Sequence, residues 1–578
     1  MEPRKKPVWW TRGQWNQFGS EAELCQQWTR REGRVFGRDS SLPNEEEDED
    51  EDDDDDDDAM SEGEESRELA KTIPTPISIS IPPTCLELGA VDAFTAQLKH
   101  VKHVIPPRHS NLRLIQGLYL HDDEIDGYDS DDDPYSDDYL MDEKKPNHST
   151  RLIFISSSLL KVGLYAFYQS QLQYLIFARN AQISFIDRGA FSRTKSLHSV
   201  LFPPSIETLG DSIFNGSRVE FVSFPSITKL KAIPAMAFVN CPLSSIEIPA
   251  SVQVIEESAF NDSSFHSIAF APNSQLETIG PYAFSHCSNL ISLEIPSSVE
   301  EIDAYAFAYS GLQSICFGLH SKLGRISRYL FLICPKLTSL EIPTNVEVIE
   351  EYAFHKSGLE SITFAPGSRL KRIERLAFSD CRNLSSICFP STLEHLEANA
   401  FEGCALESID IPSFVEEIGN RAFAKSSVRR VGFSPDSKLK RIGKEAFQGC
   451  ALEAIDLPPS IEEIGKGSFQ GCALKTISIP SSVEEIESWA FAKSKVKSVV
   501  FAPDSKLKKI GKGAFQGCDL ETIHIPSSVT VIEKNAFQNC VQLRSVFLAP
   551  DLICQKISPT AFQGCSNLEM PNSKFEGH

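Results

Sequence analysis

The chain has 578 residues, of which 41% are hydrophobic, and a formal net charge of −24. The hydrophobic content is enough for a core, whereas no stretch approaches the roughly 18 uninterrupted apolar residues of a membrane span, so the sequence predicts no membrane insertion. Residues 45–58 and 121–143 hold fourteen and twelve acidic residues and no Lys or Arg, so the remainder of the chain is close to neutral.

Residues 1–38 are a basic, Trp-rich N-terminal segment with four of the five tryptophans. Two interpretations stay open for this segment: an unstructured arm or small cap, and a docking segment in which Trp is the anchor and Arg the clamp. The charged start lacks the apolar region of a signal peptide. The sequence therefore predicts a cytoplasmic protein, with the nucleus or the cell surface as alternatives.

Residues 39–72 are an acidic tract that is predicted to be disordered, because like charges at this density repel one another and cannot bury a core. A solvated spacer and a surface that attracts basic proteins both fit this composition. Ser61 in this tract and Ser130 in the second acidic run resemble substrates of acid-directed kinases.

Residues 73–98 look like a degenerate first repeat, with Phe94 in the place of the phenylalanine that recurs later in the chain. Residues 99–150 then become an acidic, His-containing insertion that is predicted to be largely disordered. The insertion imitates the opening of a calcium loop from Asp122 onward, but Asp129 stands where that loop usually has an apolar residue, and no flanking helices are evident. The sequence predicts no metal site and no cofactor.

Residues 151–569 repeat with a period that indicates a solenoid, and residues 570–578 are a C-terminal tail. From Phe167 to Phe562 a phenylalanine recurs eighteen times at intervals of 22 to 25 residues. We expect about 18 turns, each closed by one buried phenylalanine. Representative anchors of this kind are Phe238, Phe284, Phe331, Phe378, Phe423, Phe469 and Phe515.

Each coil carries the pattern L-x-x-I-x-I-P, in which alternating apolar residues predict a half-buried strand that the proline ends. A second apolar pair follows in V-E-E-I or L-K-K-I, and the Ala-Phe pair closes the layer. Shorter and longer forms of the coil tend to alternate. The predicted fold is a mainly β repeat solenoid, a leucine-rich-repeat-like right-handed coil with parallel β-sheet faces.

Ten cysteines lie three residues after an anchor phenylalanine, and most other coils place serine there. A position that accepts Cys or Ser calls for a small, buried side chain. The chain has no CxxC pair, so zinc and thioredoxin-like sites lack their spacing. The placement favours structural thiols over a disulfide framework.

The coils resemble the BspA-like subclass of leucine-rich repeats. The segments LESIDIPSFVEEIGNRAF (406–423) and LKTISIPSSVEEIESWAF (474–491) carry the pattern of that family almost completely. The resemblance implies a leucine-rich-repeat fold without the Asn ladder of ordinary repeats, and it supplies no catalytic residues. Members of the family are often surface proteins of bacteria and parabasalid protists that are linked to adhesion.

The residue between the two apolar strand positions points outward and is acidic in several coils. An acidic stripe of this kind fits a basic partner, and it equally fits a soluble surface. Two arginines interrupt the stripe. The candidate partner-binding residues are Glu247, Glu294, Glu341, Asp410, Arg429, Arg430 and Asp456.

The leading hypothesis for function is a non-enzymatic, monomeric scaffold that binds protein partners, basic ones among them, through this strand face, without direct binding of nucleic acid. One alternative is an acidic-tailed chaperone for histones or other basic proteins, and another is a surface adhesin for host or matrix contact. A hydrolase is the weakest hypothesis, because the histidines of the array are scattered over different coils: His266, His355 and His524.

Overall fold

The computed structural model describes residues 159–177, 181–548 and 556–569, together with four short strands N-terminal to them, Glu87–Leu88, His103–Val104, Leu114–Ile115 and Leu152–Ile155. The predictions for residues 1–38, 39–72 and 570–578, for Ser61, Phe94 and Ser130, and for the calcium-loop-like run lie outside the described residues. Two of the four strands fall within 99–150, the segment predicted as an insertion. They pair in parallel with solenoid strands, His103–Val104 with Leu152–Ile155 and Leu114–Ile115 with Lys161–Val162.

The described chain is a β-solenoid, and each complete coil contributes two strands on different sides of a common core. Every strand pairing is parallel and joins neighbouring coils. No helix occurs among the residues that the structure describes, so that part of the chain contains no helix that could cross a membrane. The predicted solenoid of about 18 turns is confirmed: eighteen coils from Lys161 to Ile557 each hold one strand of the second set described below.

The first strand of each coil has the outward and inward alternation that its L-x-x-I-x-I pattern predicts, as in Ser245–Ile248, where Ser245 and Glu247 are exposed and Ile246 and Ile248 are buried. We call these the face strands. Their bounds are His103–Val104, Leu152–Ile155, Tyr174–Phe177, Ser199–Leu201, Phe221–Ser223, Ser245–Ile248, Ser267–Phe270, Ser292–Ile295, Ser314–Phe317, Ser339–Ile342, Ser361–Phe364, Ser386–Ile387, Ser408–Ile411, Arg430–Phe433, Ala454–Ile455, Thr476–Ile479, Ser498–Phe501, Thr522–Ile525 and Ser545–Leu548.

The second strand of each coil is only two residues long, and from Lys161–Val162 to Val531–Ile532 its second residue is the buried Ile, Leu or Val of the V-x-x-I stretch. We call these the ladder strands, and eleven of them form one uninterrupted sheet from Arg325 to Ile557. Their bounds are Glu87–Leu88, Leu114–Ile115, Lys161–Val162, Phe185–Ile186, Thr208–Leu209, Ala232–Ile233, Val254–Ile255, Thr278–Ile279, Glu301–Ile302, Arg325–Ile326, Val348–Ile349, Arg372–Ile373, His395–Leu396, Glu417–Ile418, Arg441–Ile442, Glu463–Ile464, Glu485–Ile486, Lys509–Ile510, Val531–Ile532 and Lys556–Ile557.

The anchor phenylalanines form a continuous stack through the centre of the solenoid. Rings of successive coils lie nearly parallel from Phe167 to Phe562, with centroids 4.9 Å apart at the closest pair, Phe354 and Phe378, and 5.7 Å apart at the widest, Phe307 and Phe331. The seven representative anchors named above are each fully buried. Because each ring touches the ring of the next coil, packing in one coil depends directly on its neighbours.

Seventeen of the eighteen coils turn twice through the left-handed backbone region, once two residues before the anchor phenylalanine and once two residues after it; the coil of Phe562 does so only at Gly564. The first of these positions holds Tyr282 (φ 56°), Tyr305 (φ 61°), Tyr329 (φ 57°) and Tyr352 (φ 57°) in four successive coils. A non-glycine residue costs on the order of 1 kcal/mol or more in this conformation. Here the four rings stack with centroids 4.8, 4.4 and 5.0 Å apart, which offsets that strain.

The position three residues after the anchor phenylalanine carries a hydrogen-bond ladder. The thiol of Cys381 donates to the backbone carbonyl of Phe354 in the preceding coil at 3.0 Å, and the hydroxyl of Ser263 donates in the same way to the carbonyl of Phe238 at 2.6 Å. Burial raises the pKa of Cys381 to about 12, so the thiol stays a protonated donor. All twelve cysteines among the described residues are free, which agrees with structural thiols rather than a disulfide framework.

Candidate protein-binding surfaces

Three outward positions of every coil make up what we call the strand face. They are the residue just before the face strand, the first residue of the strand and its third residue; in one coil these are Ser244, Ser245 and Glu247. Coil-to-coil pairing aligns the same position in successive coils, since Ser245 lies opposite Ser267 and Glu247 opposite Ala269. The strand face is therefore three parallel columns of side chains along the solenoid.

Five of the candidate residues occupy the third column. Glu247, Glu294 and Glu341 alternate with small side chains, because each pairs with the residue of the next coil, Ala269, Cys316 and Thr363 respectively. The three carboxylates are thus two coils, or roughly 10 Å, apart. Asp410 and Asp456 continue the same column and are exposed, with Gly432 in the coil between them.

The strand face from Ser244 to Asp410 carries acidic side chains in five of its eight coils. In these eight coils the middle column is serine every time, from Ser245 to Ser408. The first and third columns hold no Lys or Arg in this described stretch. His266, in the first column, is the basic residue present there. The acidic side chains on the face are Glu247, Glu294, Glu341, Glu360, Glu407 and Asp410.

Arg429 and Arg430 mark the point at which the charge changes, but neither lies in the acidic column. Arg430 takes the middle column, opposite Ser408 on one side and Ala454 on the other. Arg429 takes the first column, and its backbone amide donates to the carbonyl of Glu407 at 2.9 Å. The sequence placed both on the correct face, and the structure assigns them to the two columns beside the carboxylates.

A recess beside the strand face was not predicted from the sequence. It has a volume of about 630 Å³ and runs across the coils that follow Phe401. Its lining residues are Ser385, Ala405, Glu407, Ser426, Ser427, Arg429, Gly449, Cys450, Ala451, Gly471, Cys472, Ala473, Lys493 and Lys495.

The recess arises from a run of short connections. Coils such as Cys287–Leu290 place two residues between the small buried side chain and the next apolar residue, and these residues make an extra turn. Six coils in succession, from Cys404 to Cys518, have only one residue there. The preceding coil, at Cys381, has the longer connection, and Ser385 after it lines the recess. The available signal in the sequence is this one-residue difference in the connection after the Cys or Ser position.

The ladder side of the solenoid carries paired charges. Lys440 bonds Glu416 at 2.8 Å and Lys508 bonds Glu484 at 2.6 Å, each across one coil boundary. Both pairs are exposed, so each contributes little to stability, although they favour the correct register. The pattern is not continuous, because Glu463 pairs in the sheet with Glu485.

The histidines of the array do not meet in space. Burial lowers the pKa of His355 to about 4, so its ring is neutral inside the turn region. His524 lies on the strand face and stacks on Phe547 with ring centroids 4.5 Å apart. Among the described parts of residues 159–569, no three His, Cys, Asp or Glu side chains converge as a metal site would require.

Several solved structures are similar to this chain. The pneumococcal vaccine antigen PcpA is 19% identical with a TM-score of 0.35, and the match covers 69% of this chain and 89% of PcpA. A leucine-rich repeat protein from Bacteroides ovatus is 20% identical with a TM-score of 0.26, over 86% of this chain and 87% of that one. A leucine rich cell surface protein from Faecalibacterium prausnitzii is 19% identical with a TM-score of 0.25, over 83% and 91%.

No curated protein sequence matches the chain. The family model of the BspA type leucine rich repeat region matches in six overlapping copies, at residues 147–232, 231–360, 317–430, 348–473, 428–544 and 497–574. These matches cover well over half of the chain and coincide with the coils described above. Leucine-rich-repeat solenoids generally bind proteins and are typically non-enzymatic scaffolds. The chain belongs to the family of proteins with BspA-type leucine-rich repeats.

Proposed function

We propose that this protein is a non-enzymatic scaffold whose strand face between Ser244 and Asp410 binds a basic protein partner. The observation that carries the proposal is the charge of that face: five of eight consecutive coils present carboxylates, and none of the eight has a Lys or Arg on the three outward columns. A partner with cations at matching intervals gains attraction in every second coil, and a like-charged partner is repelled.

The spacing of the carboxylates defines the partner more closely. Glu247, Glu294 and Glu341 recur at roughly 10 Å, which is close to the ~10.5 Å rise of seven residues in an α-helix. Lysines or arginines seven residues apart on one helix face would each meet one carboxylate. The serine column beside the carboxylates has short side chains, so a helix can approach the sheet closely.

The test is a binding measurement on the full-length protein with a helical peptide that bears lysines seven residues apart. We expect the triple variant Glu247→Lys, Glu294→Lys and Glu341→Lys to bind the peptide about tenfold more weakly or worse, since three favourable charge pairs become repulsive. The binding should also weaken as salt is raised.

The matched control changes three exposed carboxylates beside the ladder strands, in the variant Glu277→Lys, Glu394→Lys and Glu462→Lys. It alters the net charge equally and leaves the strand face intact. Equal loss of affinity in both triple variants would contradict the proposal, because the attraction would then come from overall charge.

Deletion of residues 45–58 separates this proposal from the chaperone alternative. A scaffold that binds through the strand face keeps its affinity for the lysine peptide after the deletion, whereas an acidic-tailed chaperone loses it. The compartment stays a prediction, the cytoplasm with the nucleus or the cell surface as alternatives, and imaging of the tagged full-length protein tests it.

A further inference from the structure

The recess beside the strand face has a size that suits an extended peptide. It crosses the five coils that contain Ala405, Ser427, Ala451, Ala473 and Lys495, which at ~4.8 Å per coil makes a length of about 19 Å. A peptide in extended conformation rises ~3.3 Å per residue, so about six residues lie along it.

The floor of the recess is open and lined by small side chains. A side-chain carbon at Gly449 would meet no protein atom within 4 Å, and one at Gly471 would meet only the backbone of Gly449, at 3.9 Å. Ala405, Ala451 and Ala473 form the rest of the floor. A peptide backbone can therefore lie close to these coils without displacing a side chain.

The charges along the recess are unevenly distributed. Lys493 and Lys495 stand at one end, Glu407 lies at the other end, and Arg429 lies in the coil next to Glu407. Both lysines are exposed, and neither has an ion-pair partner within 4.0 Å among the described residues, in contrast to the lysines of the ladder side. Lys475 adds positive charge next to the same end, whereas Lys497 in the adjacent coil lies 3.9 Å from the carboxylate of Glu521.

We propose that this recess binds an extended, acidic peptide segment of a partner protein, with its carboxylates at the end formed by Lys493 and Lys495. Charge complementarity selects the acidic side chains, and the alanine and glycine floor admits the main chain. Nucleic acid fits less well, because phosphate-backbone binding draws on a longer run of cations than the recess offers.

The test measures binding of a fluorescent hexaglutamate peptide to the full-length protein at low salt. We expect the double variant Lys493→Glu and Lys495→Glu to bind the peptide at least about tenfold more weakly. The control is Lys506→Glu with Lys534→Glu, which reverses two exposed lysines outside the recess. An equal loss of binding in the control would overturn the proposal.

A second variant tests the shape of the recess without changing its charge. Gly449→Asn fills the open floor, and asparagine is compatible with the backbone there because Asn240 (φ 54°) and Asn539 (φ 59°) occupy the same position in other coils. Gly216→Asn is the matched control, at the same position outside the recess, where the nearest atom is Cγ of Arg193 at 3.6 Å. We expect Gly449→Asn alone to weaken hexaglutamate binding, and unchanged binding would contradict the recess as the site.

Further measurements separate this proposal from its competitors. The strand-face variant Glu247→Lys, Glu294→Lys and Glu341→Lys should leave hexaglutamate bound through the same two lysines, so failure of one surface is distinguishable from failure of the other. Tighter binding of oligothymidylate than of hexaglutamate would overturn the choice of a peptide. A gain in affinity after deletion of residues 45–58 would identify the protein's own acidic tract as the occupant and overturn a partner in trans.

Discussion

The coils anchored from Phe284 to Phe378 and those anchored from Phe401 to Phe515 share one core but present different surfaces. In the first region long and short connections alternate, and tyrosines at the left-handed turns stack on one another. In the second region all connections are short, and glycine occupies many of the left-handed turns. The phenylalanine stack passes from one region to the other without a gap, with 5.0 Å between Phe378 and Phe401. One residue in a connection and one side chain at a turn thus change the surface while the core stays the same.

Substitutions in the core should have the largest effect on stability, and they test whether the two regions depend on the core equally. Phe331→Ala in the first region and Phe447→Ala in the second should each lower the free energy of unfolding by ~3–5 kcal/mol, because both rings are fully buried between two neighbours. Hydrogen exchange should show lost protection mainly in the coils next to each substitution. Loss of protection across both regions from one substitution would show that the solenoid unfolds as a single unit.

The tyrosine stack distinguishes the first region, and its removal should have the second largest effect on stability. Tyr329→Ala should lower the free energy of unfolding by about 3 kcal/mol, because it removes a nearly buried ring that stacks on Tyr305 and Tyr352 and keeps the left-handed backbone. Tyr329→Gly should cost about 1 kcal/mol less, since glycine relieves the backbone strain. Denaturant unfolding measures both variants, and equal values would argue against strain at this turn.

The buried thiols should affect both regions alike, through pH. Burial raises the pKa of Cys334 in the first region and of Cys450 in the second to about 11 each. Their contribution to stability is complete below a pH of about 9, the ordinary value for a thiol, and is lost as the pH rises toward about 11, because the unfolded state then ionises first. At pH 10.5 each thiol should therefore have lost about 2 kcal/mol of stabilising contribution.

Cys334→Ser and Cys450→Ser provide the comparison, because serine occupies this position in other coils and does not ionise in this range. Each variant should lose about 2 kcal/mol less than the parent protein between pH 8 and pH 10.5, as measured by denaturant unfolding. Parallel pH curves for the variant and the parent would contradict the assignment of the alkaline loss to these thiols.

The glycine turns of the second region give the smallest effects. Gly449→Ala should cost about 1 kcal/mol, which is the strain of its left-handed backbone alone (φ 72°), since no atom lies near the new side chain. Gly513→Ala should cost about 2 kcal/mol or more, because its side chain would also lie 2.6 Å from Cδ1 of the Trp489 ring. Thermal unfolding compares the pair, and equal costs would show that the Trp489 ring moves aside freely.

The repeat, its period, the face strand and the second inward apolar pair of each coil, and the outward direction of Glu247, Glu294 and Glu341 could all be derived from the sequence, because strand periodicity and proline positions are local signals. The left-handed turns could not. The residue before the Ala-Phe pair is Tyr329 in one coil, Glu445 in another and Gly467 in a third, so no composition marks the conformation. The recess could not be predicted either, because it arises from six neighbouring coils together, and a short connection in a single coil also occurs elsewhere in the array.

The hydrogen bonds of the thiols and hydroxyls beside the phenylalanine stack affect how such a protein can change its length. All ten thiols at this position donate to the anchor phenylalanine of the coil before, as Cys381 does. Ser263 donates in the same way, whereas Ser426 and Ser494 donate to the phenylalanine of their own coil, so no bond of these donors reaches beyond the adjacent coil. A coil that is duplicated or deleted as a unit therefore leaves junctions whose hydrogen bonds and ring contacts are complete. The number of coils can therefore change by duplication or deletion in the gene without any change to the interior, and the length of the outer surface changes with it.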